Sequence, residues 1–269
     1  MADPGPPPAR PVTLLTAPLA VQGAWKWPQA AELVLLRMRE VCLAGVRLLS
    51  DQQPDKVLVD DHATGGPSIW LHPDGSRLAW IIVDIGGSDW CNLCYQFGHE
   101  LGHVLCNSWG PLAKPQNPCQ WLEEALAEAF SLRGLGLLAD SWERDPPWQG
   151  DKAFGAAVRK YRSDLAETYR KVAVEQGAAA DPAAWFRAHG AALAQDGGLA
   201  GDARAAIPAF LAVLESENAC VEGLGAMNRW PARTGVPIEE FLRLWDQSCS
   251  ETGAANQLPS RARAMFLSV

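Results

Sequence analysis

"YQFGHELGHVLCN", residues 95–107, places two histidines four apart with a glutamate after the first, inside a run that otherwise reads as apolar helix. Each helical residue advances by about 100°, so His99 and His103 project about 40° apart and stack one turn above each other, where both imidazoles can reach one ion. Glu100 lies about 60° round from His103, poorly placed to ligate that ion but able to address a water on it. The far side carries Leu93, Cys94, Phe97, Leu101, Val104 and Leu105, an apolar stripe that anchors the helix to a core. Gly98 and Gly102, also four apart, form a strip without side chains on which a second helix can pack closely.

A catalytic zinc takes three protein ligands and leaves a fourth position open, so two histidines are insufficient. The missing donor is sought in "WLEEALAEAFSLRGL", residues 121–135, a second helix whose Glu124 follows His103 after 20 intervening residues. Glu124 and Glu128 share a face, whereas Glu123 points about 100° away, towards the side of Leu126 and Phe130. Glu124 is therefore the expected ligand. Glu128 is expected to accept the spare ring N–H of His99 or His103 and fix its tautomer. Ala127 and Ser131 supply small residues able to meet Gly98 and Gly102.

"HELGH" followed by "WLEEALAE" resembles the zincin peptidases of the glutamate-ligand type, the gluzincins. Thermolysin-like members pair the HExxH helix with one reading Asn-Glu-Ala-x-x-Asp, and zinc aminopeptidases with one reading Trp-Leu-x-Glu. The resemblance implies a zincin-like fold and zinc held by His99, His103 and Glu124. It implies Glu100 as general base and a peptide or protein as substrate. Glu128 stands where the thermolysin-like pattern has Asp, one methylene longer. The match covers about 45 residues, and the same stretch is also similar to bacterial proteins with peptidase-like domains of no assigned substrate.

The rest of the chain supplies context. Among 269 residues, nearly half are apolar, a fifth are charged and 12 are tryptophan, which is the make-up of a folded globular protein. A net charge of −8 without a Lys/Arg-dense stripe excludes nucleic acid as an expected partner. No run approaches the ~20 apolar residues of a membrane span. The mildly apolar start makes a poor export signal, with an acid and prolines in place of basic residues and Pro18 inside the apolar stretch, so a cytoplasmic location is expected.

Seven cysteines, odd in number and irregular in spacing, read as reduced thiols. Cys91-x-x-Cys94 with Cys106 and Cys119 contains the ligands of a thiolate zinc site, but the helical reading turns Cys91 and Cys94 away from the histidine face. Cys106, one turn past His103, is the exception, a stray ligand or an oxidation-sensitive neighbour. Tyr161, Tyr169 and His189 are the downstream candidates to stabilise an oxyanion, while His62 and His72 fall in turn sequences and are left out of the site.

Residues 1–11 are expected to be a disordered Pro-rich tail, 12–140 a zincin-like core with both metal-binding helices, and 141–269 a helical lobe across a cleft. A long helix is expected over 28–50, with Leu33, Leu36, Val41 and Val46 on its apolar face. Strands are expected at 56–60, 68–71 and 77–84, the last two as a hairpin, and the last is a candidate edge for an extended substrate. Helices are expected over 120–138, 150–176, 181–195, 202–216, 219–228 and 237–248. The fold class is α+β. The rival to a peptidase is a non-catalytic zinc-binding protein, a pseudopeptidase whose surface recruits a partner.

Overall fold

A computed structural model describes residues 14, 16–47, 50, 52–62, 65–71, 77–86, 88–110, 117–148, 151–199, 201–230, 235–255 and 257–268. The tail 1–11 and His72 lie outside these residues. The described chain is α+β: one four-stranded sheet in the first third, then helices to the end.

The sheet contains β1 (Leu19–Gly23), β2 (Lys56–Asp61), β3 (Ser68–Trp70) and β4 (Leu78–Val83) in the order β1-β2-β4-β3. β1, β2 and β4 are parallel, and β3 folds back antiparallel on β4 with Ile69 opposite Ile81 and Trp70 opposite Trp80. The expected hairpin is present. The expected edge is not at residues 77–84, because β4 is an interior strand with β2 on one side and β3 on the other. That leaves β3 as the outer strand on the β4 side. β1 was not foreseen; its apolar content is three residues, and it is recruited as the outer parallel partner of β2.

α1 (Pro28–Leu43) begins with proline at its first turn, where no intrahelical N–H is needed, and ends before Ala44 and Gly45. It is shorter than expected, and its buried face is Ala31, Val34, Leu35, Met38 and Cys42, not the Leu36 row, for Leu36 is exposed. Arg39 on this helix donates to the carbonyls of Leu14 and Ala17, tying the entry segment to the core.

α2 (Trp90–Leu105) carries the opening motif. Asp89 caps it by accepting from the Asn92 N–H. Its apolar stripe, Leu93, Cys94, Phe97, Leu101, Val104 and Leu105, is fully buried. α3 (Gln120–Arg144) runs antiparallel against it, so the domain limit expected at 140 falls inside a continuous helix. A Cβ on Gly98 would stand 2.8 Å from Ser131 Oγ, and one on Gly102 would stand 3.0 Å from Ala127 Cα. The small-residue strips therefore meet as expected, and the two helices pack backbone to backbone.

Beyond it lie α4 (Lys152–Glu175), α5 (Pro182–Asp196), a 3₁₀ turn (Gly201–Ala206) leading into α6 (Ile207–Ser216), and α7 (Asn218–Glu222) with a further 3₁₀ turn (Gly223–Ala226). α8 (Ile238–Thr252) and the unforeseen α9 (Gln257–Phe266) follow. Phe210, Leu211, Leu214, Phe241, Leu242 and Trp245 are buried, as their helical spacing requires. A single hydrophobic cluster runs from the sheet through α2 and α3 into these helices. Among the described residues no helix is long and apolar enough to cross a membrane.

Candidate metal centre

Antiparallel packing of α2 on α3 fixes which carboxylate faces which histidine. His99 Nδ1 lies 2.9 Å from Glu128 Oε2, and His103 Nδ1 lies 2.8 Å from Glu123 Oε1. An ionised carboxylate only accepts, so each Nδ1 carries the hydrogen and each Nε2 presents a lone pair. Those lone pairs converge: the two Nε2 atoms are 3.1 Å apart, and each is 3.4 Å from Glu124 Oε2. His99, His103 and Glu124 are the one group among the described residues with three metal-ligand atoms close together.

Three acceptors facing one another inside a protein need a cation between them. Tetrahedral coordination with Zn–N near 2.0–2.1 Å spaces adjacent ligand atoms by about 3.3–3.4 Å; the two edges to Glu124 match it at 3.4 Å, and the Nε2–Nε2 edge is shorter at 3.1 Å. The donor set, two neutral imidazoles and one carboxylate, is one that zinc accepts. Protonation is the alternative cation. Burial opposes charge on His99, yet hydrogen bonding to Glu124 and Glu128 prevails and lifts its pKa to about 9. His103, equally opposed by burial, is held well above the usual imidazole range by Glu124 and Glu123. Burial would raise Glu124, but the facing histidines outweigh it and hold its carboxyl far below the ordinary value.

Glu100 is buried yet lines the same cleft as the three donors, and loss of water raises its pKa, with the histidines pulling the other way. The cleft measures about 400 Å³ and is walled by Pro67, Ser68, Ile69 and Leu71 around β3, by Tyr95 on α2, and by Leu199 from beyond α3. Gln120, at the start of α3, donates to the second Glu124 oxygen at 3.5 Å.

Supporting groups extend outward. Tyr95 donates its hydroxyl to Glu128 Oε2 at 3.1 Å, and Tyr169 of α4 stands beside both. Glu128 is fully buried and supports His99. Glu123 supports His103, a role the helical angles had assigned to no residue other than Glu128. The offset of about 100° was read correctly, but it turns Glu123 to the flank on which His103 sits once α3 crosses antiparallel to α2. Glu123 is 1% exposed, and nothing in its spacing from "HELGH" signals this role.

The three oxyanion candidates are elsewhere. Tyr161 reaches Asn92, Tyr169 lies behind Tyr95, and His189 bonds Asp202 while stacking on Trp185; none lines the cleft. His62 pairs with Asp60. All seven cysteines are free thiols, and none joins the three-donor group. Cys94 is fully buried and its thiol is pushed well up by burial. Cys106 is also buried and outside the group, so the stray-ligand role foreseen for it is not met. No protein-family model, no curated protein and no solved structure matches this chain, and the functional reading rests on the geometry of the site.

Proposed function

We propose that this protein is a zinc metallopeptidase of zincin-like, glutamate-ligand type, hydrolysing peptide bonds in a peptide or protein substrate. The observation that carries the reading is the triangle of His99 Nε2, His103 Nε2 and Glu124 Oε2 at 3.1–3.4 Å, with both imidazoles oriented by carboxylates and Glu100 beside them in an open cleft. Zinc bound there supplies a Lewis acid for the peptide carbonyl and for the attacking water.

The chain's own residues do the rest. Glu100, whose pKa is raised by burial, takes a proton from the water as its oxygen bonds to the carbonyl carbon, then delivers that proton to the amine as the C–N bond breaks. No covalent acyl-enzyme is needed. Among the described strands, β3 pairs with β4 alone, and its flanks wall the cleft, so an extended substrate can add as a further strand on its outer side.

Glu100→Gln separates the peptidase from the zinc-binding scaffold. Mass spectrometry of a peptide library should show cleavage by the wild-type protein and at least ~100-fold less by the variant, with zinc retained. Zinc retention with no cleavage by either form would favour the partner-binding protein. In Glu124→Ala, elemental analysis should find stoichiometric zinc lost; unchanged content would refute the ligand assignment.

A further inference from the structure

We infer that Asn228, 125 residues downstream of His103, is a positioning residue for that histidine and acts through Glu123. It rests on the metal-site reading above and extends that centre into the helical C-terminal part of the chain.

Asn228 follows the 3₁₀ turn Gly223–Ala226 and is 2% exposed. Its side-chain amide donates to three acceptors, two in the turn that ends α2 and one in the first turn of α3: the Cys106 carbonyl at 3.1 Å, Ser108 Oγ at 3.2 Å, and Glu123 Oε2. An amide has two hydrogens, and of these acceptors the carboxylate binds most strongly because it is charged. Glu123 thus accepts from His103 through Oε1 and from Asn228 through Oε2. Without Asn228 the buried Oε2 loses its charge-stabilising donor, the carboxylate is free to rotate, and the His103 tautomer is no longer fixed.

A second asparagine keeps the donor in place. Asn107, in the turn that ends α2, donates to the carbonyls of Gly225 and Met227 and accepts from Ser50. Both asparagines occupy the left-handed region, at φ 65° for Asn107 and 61° for Asn228, which asparagine tolerates better than most residues. The 225–228 turn is therefore stapled to the end of the metal-binding helix in both directions.

The test uses full-length protein, with zinc affinity measured by competition against a chromophoric chelator, cobalt(II) absorption as a report on ligand geometry, and the melting midpoint of the metal-free chain. Asn228→Gly removes the amide while accepting the positive φ. It should weaken zinc about 10-fold or more and alter the cobalt bands, with the metal-free chain destabilised but still folded at the temperature of the zinc titration. Asn228→Asp, which sets a second carboxylate against Glu123, should do the same and serves if the glycine variant does not fold. In a Glu123→Ala background neither change should weaken zinc further. Zinc affinity within twofold of wild type in both variants, or undiminished losses in the Glu123→Ala background, would overturn the inference while leaving the metal site intact. A wild-type chain that binds no zinc would overturn both.

Discussion

Each histidine of the centre has its own carboxylate, and this pairing decides what single substitutions should do. Glu128→Gln and Glu123→Gln each replace an acceptor-only group with an amide, so the ring hydrogen on Nδ1 is no longer specified. Zinc affinity should fall by about 10- to 100-fold in each, read by chelator competition, with Glu124 still present as ligand. The metal-free protein should show the complementary pH effect. His99 is lifted to about 9 in the folded chain against an ordinary 6.5, and His103 is also held well above the ordinary value. A raised folded pKa contributes stability that is complete below 6.5 and is lost as pH climbs through about 9, where the lone pairs come to face Glu124 uncompensated. Denaturant midpoints of the metal-free chain should therefore fall between pH 6.5 and 9, and saturating zinc should remove that fall. A flat metal-free profile would mean that protons do not occupy the space between the donors.

The helix pair is the element on which the centre depends. His99 and His103 are placed by a 3.6-residue repeat, but their distance from Glu124 is set by how closely α2 approaches α3. Gly102 faces the backbone of Ala127, so the added methyl of Gly102→Ala has nowhere to go without separating the helices. A cost of about 1–3 kcal/mol in urea denaturation and a loss of zinc affinity are expected together. Gly98→Ala meets the flexible Met38 methyl at 2.7 Å, but also Ser131 Oγ at 2.8 Å, which is held by its bond to the Tyr95 carbonyl, and Ser131 Cα at 3.3 Å, so it should cost at least as much. Unchanged stability and zinc affinity at both positions would show that the glycine strip is not what sets the spacing. The sheet contributes a second element, β3, whose position at the cleft came from strand order, not strand sequence.

At the scale of the molecule, the single core joins the sheet, the α2–α3 pair and the C-terminal helices, so occupancy of the proposed centre should be felt throughout. Zinc that binds only the folded chain raises its stability by about 4 kcal/mol at a thousand times its dissociation constant. The melting midpoint should rise with the logarithm of free zinc, return on chelation, and become insensitive to zinc in Glu124→Ala. A midpoint indifferent to zinc in the wild-type protein would count against the centre.

His99, Glu100, His103 and Glu124 were legible in the sequence because helical periodicity alone decides which side chains share a face, and glycine spacing announced the close partner helix. The α+β order and the reading of the cysteines as free thiols rested on the same local grounds, although Cys91 is only half-buried. Three features were decided by tertiary structure: the role of Glu123, which depends on the direction in which α3 crosses α2; the placing of β3, not β4, at the sheet's edge; and the arrival of Asn228 beside Glu123. Each depends on contacts between segments distant in the chain, and neither periodicity nor residue spacing carries information about crossing direction, strand order or where a remote turn docks.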